Sequence, residues 1–294
     1  MRSISCLSHL IKSKDIDIKL VVAHFKNSKG YYKSIKDTAK KNKIKCISPK
    51  NINSSGTLKI LKSYKPDLMV LVGYSQNILK AKTFEIPKFG TINLHASPLP
   101  MYRGAAPLNW MVINGEKKGG ISIIQVDKGV DTGAILEQKF FKIKENENIN
   151  ELTHKVNNLY PKLLLETIKK INTYKIRKKN QNINSGSFFS KRFPRDGYIN
   201  FHLLKSIEID RLVRGLQYPF PGAFFYYKNK KIIVHETKIK NVNFFGISGR
   251  ISKVNDDEIV IIARDKGIAI KKIIVNNKIK NVNYIKFKIG EDVE

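Results

Sequence analysis

The 294-residue sequence predicts an α/β domain built on a doubly wound, mainly parallel sheet, followed by a smaller β-barrel domain. Three observations carry this expectation. Apolar, β-branched runs alternate with helix-compatible stretches through the first half, as in strands joined by crossover helices. A stretch rich in Lys, Asn, Ser and Gly then interrupts the periodicity at 174–190. Beyond it lie one helical stretch, 207–216, and short strand-like runs at 224–227, 231–237, 249–254, 259–263 and 268–275, separated by polar turns as in a small OB-like barrel. The expected division is a first domain over 1–176, a linker over 177–198 and a second domain over 199–294.

Within the first part, 18–25 holds Leu20, Val21 and Val22 and reads as a strand, 33–43 as a polar helix, and 44–47 as a second strand before Pro49. A helix over 58–64 stops before Pro66, whose ring disfavours helical backbone at the residue preceding it. The run 67–73, Asp-Leu-Met-Val-Leu-Val-Gly, is almost wholly apolar, as in a strand buried on both faces. The next strand, 90–95, ends on Asn93 and His95. A helix over 106–114 begins near Pro107, where the missing N–H costs nothing. Strands over 121–126 and 135–141 follow. Leu152, Val156, Leu159 and Leu163, spaced by four, three and four, give 151–171 an apolar helical face.

Composition excludes several classes. Cys6 and Cys46 are the only cysteines and have no C-x-x-C spacing, so neither a disulfide framework nor a zinc site is expected. The N-terminus lacks a leader pattern and no apolar run approaches the ~20 residues of a membrane span. The chain therefore reads as cytoplasmic, with no membrane and no protein partner evident. The formal charge of +31 has two readings: a surface for RNA phosphates, or a coding composition that favours Lys, Ile and Asn everywhere.

Residues 93–107 and the turn Asp127-Lys-Gly-Val-Asp-Thr-Gly133 carry the chemistry. Asn93 and His95 are two apart on one strand, so their side chains share a face. An amide can donate to a developing oxyanion, an imidazole can move a proton, and the Asp131 carboxylate can orient the imidazole or relay the proton through water. This is equipment for acyl or formyl transfer. Arg103 reads as a brace for its loop, and Tyr218-Pro-Phe-Pro-Gly222 as a rigid turn. His24, His154, His202 and His235 show no ligand spacing.

Asn93-Leu-His95, Ser97-Pro-Leu-Pro100, Tyr102-Arg-Gly-Ala-Ala-Pro107 and Asp127 to Gly133 resemble the signature of the folate-dependent formyltransferases, most of all those acting on methionyl-tRNA. Arg192-Phe-Pro-Arg-Asp-Gly-Tyr-Ile-Asn200 and Tyr218-Pro-Phe-Pro-Gly-Ala-Phe224 extend the likeness into the second domain. The resemblance implies a Rossmann-like formyltransferase domain that moves the formyl group of 10-formyltetrahydrofolate to a primary amine without a metal. Asn93, His95 and Asp131 would be catalytic. Ser97, Pro98, Leu99, Pro100, Gly129, Thr132 and Gly133 would contact the folate. The amine would belong to charged initiator tRNA or, alternatively, to a nucleotide-linked amino sugar; a noncatalytic RNA-binding relative is the third possibility.

The chain also departs from the family. Pro98 stands where the family commonly has Leu and removes a backbone donor. The stretch 26–33, with Lys26, Lys29, Tyr31 and Lys33, is shorter than the RNA-contacting loop of the tRNA enzymes. The family's opening strand has no counterpart, since the first residues resemble the helix that follows it. A start assigned too late or a fragment is the expectation, with the neighbours of that central strand left unpaired. Pro107-Leu-Asn-Trp110 is a sequence also seen in sugar-modifying relatives.

Overall fold

The computed structural model describes residues 2–25, 33–240 and 242–294. Lys26, Lys29, Tyr31 and the side chain of Lys33 thus lie outside the described residues. The chain divides into two compact units: Met1–Gly104 with Lys118–Phe141 and His154–Phe189, and Ala105–Lys117 with Lys142–Thr153 and Ser190–Glu294.

The first unit opens with a helix, α1 (Arg2–Ile11), and then β1 (Val21–Val22), α2 (Lys33–Lys41) and β2 (Cys46–Ile47). β1 and β2 form a parallel pair. Leu7, Val21 and Ala39 are buried together beneath them. Next come α3 (Ser55–Ser63), capped by the Ser54 hydroxyl on the Thr57 N–H, then β3 (Met69–Leu71), α4 (Ala81–Phe84) and β4 (Thr91–His95). β3 lies parallel to β4, with Leu71 opposite Asn93. Among the described residues β1 pairs only with β2, and β3 only with β4, so the remaining edge of each carries no strand.

After β5 (Arg103–Gly104) and α5 (Pro107–Ile113) the chain returns as β6 (Lys118–Gln125) and β7 (Ile135–Lys142). The sheet order is β3-β4-β6-β7, and β6 runs antiparallel to β4, with Ser122 opposite His95. The four-stranded sheet is therefore mixed, parallel at β3–β4 and antiparallel at β4–β6, while β1–β2 stands as a separate parallel pair. In β4 the pleat sends Ile92 and Leu94 into the core at 0 % and 3 % exposure, which leaves Asn93 and His95 on the opposite face. α6 (Ile149–Asn172) buries Leu152, Val156, Tyr160, Leu163 and Thr167. Tyr160, not Leu159, continues its apolar stripe, because a step of four from Val156 stays on the buried face.

The polar stretch expected as a linker is in large part tied to the first unit. Lys179 makes an antiparallel bridge with Ile135, and β8 (Phe188–Phe189) pairs in parallel with β5. Gly104 permits that pairing, because a Cβ there would sit 2.4 Å from the Phe189 carbonyl. The two units part at Phe189 and Ser190.

In the second unit, α7 (Ser206–Gly215) packs against α5. Gly215 allows close approach, since a Cβ would lie 2.7 Å from Ile113. Buried Asn109 donates from Nδ2 to the Gly215 carbonyl at 2.8 Å, and the Arg192 guanidinium lies 4.8 Å from the centre of the Trp110 ring. The sheet contains β9 (Ala223–Tyr227), β10 (Lys230–Ile239), β11 (Ile251–Val254), β12 (Ile259–Ile262), β13 (Gly267–Val275) and β14 (Lys278–Asn281). All its pairings are antiparallel, in the order β11-β12-β13-β10-β9 with β14 beside β13. Phe225, Ile251, Ile261, Ile268 and Ile270 fill its core with Ile209 and Val213 of α7. Both edges meet the segment 291–294: the Ile251 N–H donates to the Glu291 carbonyl and the Val293 N–H to the Gly249 carbonyl, while the Glu294 N–H donates to the Tyr226 carbonyl, each at 2.9 Å. This curls the sheet toward a barrel and covers its edges.

Asn109→Ala leaves the Gly215 carbonyl without this donor inside the α5–α7 contact. We expect a loss of ~1–3 kcal/mol, read as a lower urea midpoint of unfolding.

Candidate active site

β4 delivers Asn93 and His95 from the middle of the four-stranded sheet, and the loop from β6 to β7 brings Asp131 to them. The Asn93 amide donates from Nδ2 to Asp131 Oδ1 at 3.3 Å. His95 Nδ1 lies 3.4 Å from Asp131 Oδ2, with the two side chains only 8 % and 11 % exposed. The Gly104 N–H donates to the same Oδ2 at 3.0 Å. The other ring nitrogen, His95 Nε2, is 2.8 Å from the Tyr102 carbonyl. A carbonyl only accepts, so Nε2 carries the hydrogen in that bond and Nδ1 is the nitrogen that faces the carboxylate.

The Asp131 loop is held by local polar contacts. Asp127 Oδ1 accepts from the Gly129 N–H at 3.0 Å and from the Thr132 hydroxyl at 2.7 Å. Gly133 lies so close to β6 that a Cβ would come within 1.7 Å of the Gln125 carbonyl. Asp131 itself adopts a left-handed backbone at φ 55°, as does Tyr102 at φ 60°. Non-glycine residues held there store strain of ~1–3 kcal/mol, a feature that concentrates at functional sites.

Residues 97–100 form a braced turn beside β4. Ser97 and Leu99 are buried at 0 % and 3 % exposure. The Ser97 hydroxyl donates to the Met101 carbonyl, the Ser122 hydroxyl donates to the Ser97 carbonyl and accepts from the Leu99 N–H, and Gln138 donates to the Leu99 carbonyl. Pro98 sits over Gly120, where a Cβ would meet it at 2.8 Å. The side chains of Ser97 and Leu99 thus shape the turn, while Pro98 and Pro100 are half-buried. Gly129 lines an open cleft of about 550 Å³ with Phe84, Glu85, Gly90, Gln125, Val126, Asp127 and Lys128.

Other polar groups are excluded from acid–base or nucleophilic work. Burial pushes the Cys6 thiol up to about 12, so it is no nucleophile. The fully buried Tyr160 hydroxyl is pushed upward chiefly by burial, with the charges of Cys6 and Asp131 adding to the shift and Arg2 opposing it. His24 stacks on Tyr74 and accepts from the Ser75 N–H. Among the described residues no group of three or more His, Cys, Asp or Glu is placed to hold a metal ion, and no helix is long and apolar enough to cross a membrane. The structure brings together Asn93, His95 and Asp131, the three residues singled out by the sequence motif. That motif gave no sign of the Tyr102 carbonyl or the Gly104 N–H, because backbone groups carry no residue signature.

Residues 5–168 match the formyl transferase family, and residues 192–285 match the formyl transferase C-terminal domain. The chain is 34 % identical to the bifunctional polymyxin resistance protein ArnA of Wigglesworthia glossinidia brevipalpis over 96 % of its own length, spanning 44 % of that protein. It is 33 % identical to the methionyl-tRNA formyltransferase of Clostridium acetobutylicum, with 99 % of this chain and 94 % of that protein covered. Its fold is similar to that of an N-formyltransferase from Helicobacter canadensis crystallised with folinic acid and dTDP-3-aminofucose. That similarity has a TM-score of 0.67 at 21 % identity and covers 93 % of this chain and 96 % of the other. The chain belongs to the formyl transferase family and carries both its formyl transferase domain and its C-terminal domain.

Proposed function

We propose that the chain transfers a formyl group from 10-formyltetrahydrofolate to the amine of methionyl-tRNA. The observation that carries the chemistry is the convergence of Asn93 and His95 on one Asp131 carboxylate. The acceptor reading is supported by the near end-to-end likeness to the methionyl-tRNA formyltransferase of C. acetobutylicum and by the +31 charge, which suits a polyanionic substrate.

The cleft beside Gly129 suits the donor. It offers a ring in Phe84, an amide oxygen in Gln125 and carboxylates in Glu85 and Asp127, an acceptor set for a flat heterocycle with N–H edges. When bound, 10-formyltetrahydrofolate supplies the formyl carbon. Gln125, Asp127 and Gly129, with the turn at Pro98 and Pro100, would hold it. Asn93 has two N–H groups, of which Asp131 engages one; the other donates to the formyl oxygen as negative charge develops there. His95 is committed through Nε2 to Tyr102, so its proton work falls to Nδ1. Nδ1 and Asp131 together take the proton that the amine loses as its nitrogen bonds to carbon. They return it, through water, to the departing folate nitrogen as the old carbon–nitrogen bond breaks.

A second reading takes a nucleotide-linked amino sugar as acceptor. The short 26–33 stretch and Pro107-Leu-Asn-Trp110 favour it. Within the second unit, however, Asn109 and Trp110 are engaged in packing against Gly215 and Arg192, which gives that motif a structural use.

Supplied with 10-formyltetrahydrofolate, the protein should formylate charged initiator tRNA, measured as formylmethionine released from the tRNA. Turnover confined to dTDP-3-aminofucose in a parallel reaction would sink the tRNA reading in favour of the sugar. Asn93→Ala should lower kcat by ~10²–10³-fold, the cost of one oxyanion donor. Its dissociation constant for tRNA, measured by filter binding, should stay within about twofold because no RNA contact is removed. Equal loss of turnover and binding would contradict the assigned role.

A further inference from the structure

Two non-glycine residues with left-handed backbone flank the chemistry: Tyr102, whose carbonyl holds His95, and Asp131, whose carboxylate faces it. Each is fastened by a side chain from the same short segment, 179–189. The Gln181 amide donates from Nε2 to the carbonyls of Asp131 at 3.0 Å and Gly133 at 2.7 Å, spanning the turn from its backbone side. The opposite amide orientation would set an oxygen against two carbonyls, so the contacts fix Gln181 as a donor. Ser187 meets the Tyr102 turn three times. Its hydroxyl accepts from the Tyr102 N–H at 2.9 Å, its carbonyl accepts from the Arg103 N–H at 2.9 Å, and its N–H donates to the Pro100 carbonyl at 3.2 Å. The Phe189 ring lies flat on the Tyr102 ring, with centroids 4.6 Å apart and planes inclined by 2°. Gly186 lets the segment pass, since a Cβ would sit 2.4 Å from the Pro100 carbonyl.

We propose that Gln181 and Ser187 are positioning residues for formyl transfer: Gln181 holds the Asp131 turn and Ser187 holds the Tyr102 turn, so that segment 179–189 sets the approach of His95 Nδ1 to Asp131 Oδ2. The proposal rests on the roles given above to His95 and Asp131. Neither side chain reaches the reacting atoms. Both act through the left-handed backbone at Asp131 and Tyr102, which is why their hydrogen bonds matter beyond the stability they add.

The test compares full-length Gln181→Met, Ser187→Ala and Ser187→Thr with the parent, using both amine acceptors above. Gln181→Met keeps the side-chain length without the donor, and Ser187→Thr keeps the hydroxyl that Ser187→Ala removes. Expected are a fall in kcat of about tenfold for Gln181→Met and Ser187→Ala, the equivalent of one lost hydrogen bond. KM for donor and acceptor should stay within about twofold, and Ser187→Thr should restore kcat. In an Asp131→Asn background, adding Gln181→Met should cost nothing further, because its effect passes through Asp131. The ¹⁵N ring signals of His95, assigned with His95→Asn, read the same geometry without any acceptor; they should move in Ser187→Ala and not in Ser187→Thr. Parent-like kcat with unmoved His95 signals overturns the proposal, as do losses that multiply with Asp131→Asn. Full turnover by Asn93→Ala would overturn the reading of the site itself, an outcome distinct from either.

Discussion

The structure depends on one carboxylate held from several sides. Asp131 accepts from the Asn93 amide on one oxygen and from the Gly104 N–H on the other, which also faces His95 Nδ1, and its own backbone sits in the left-handed region. A carboxylate 11 % exposed is costly to bury unless its lone pairs are satisfied, and here two N–H groups donate to it while His95 Nδ1 faces it. Those groups come from β4 and β5, and the carboxylate they meet comes from the loop between β6 and β7. Fixing the acid therefore fixes the mutual placement of both strands and the loop.

The sheet makes that possible by sorting side chains. β4 is flanked by β3 on one side and β6 on the other, so its backbone donors and acceptors are paired, and alternation alone then divides it into an apolar face and a polar one. Ser122, opposite His95 on β6, extends the order outward by bonding to both ends of the turn that begins at Ser97. Hydrogen bonds between buried groups are stronger than in water and leave few alternative geometries, so the turn beside His95 is stiff before any substrate arrives.

What was legible in the sequence follows from how local each cause is. The helix 106–114 appears as Pro107–Ile113 because proline fixes the first turn by itself. Asn93 and His95 share a face because the pleat has a period of two, whatever surrounds it. Strand 18–25 shrinks to Val21–Val22, because strand length is decided by the available partner, and β2 contributes only Cys46 and Ile47. The direction of β6 was hidden for the same reason: an apolar run does not record which neighbour it joins. The stretch 177–198 reads as linker from its Lys, Asn, Ser and Gly content, yet Gln181 and Ser187 anchor part of it through hydrogen bonds to backbone groups roughly fifty to eighty-five positions away. Composition measures burial of apolar surface. It is blind to a polar segment that docks by hydrogen bonds.

This separation also explains why the proposed chemistry is easier to read than the acceptor. The groups that converge on Asp131 all belong to the first unit, within 93–133 and 179–189, and the proposed reaction asks of them only a formyl carbon and an amine. Nothing in that arrangement distinguishes a methionyl amine from a sugar amine, since the reacting atoms are alike. Discrimination must come from groups that meet the remainder of the acceptor, where a polyanionic RNA and a compact nucleotide sugar differ in charge, size and reach. Asn109 and Trp110, which pack against Gly215 and Arg192, already have a structural use, so the sequence they share with sugar-modifying relatives does not by itself select an acceptor.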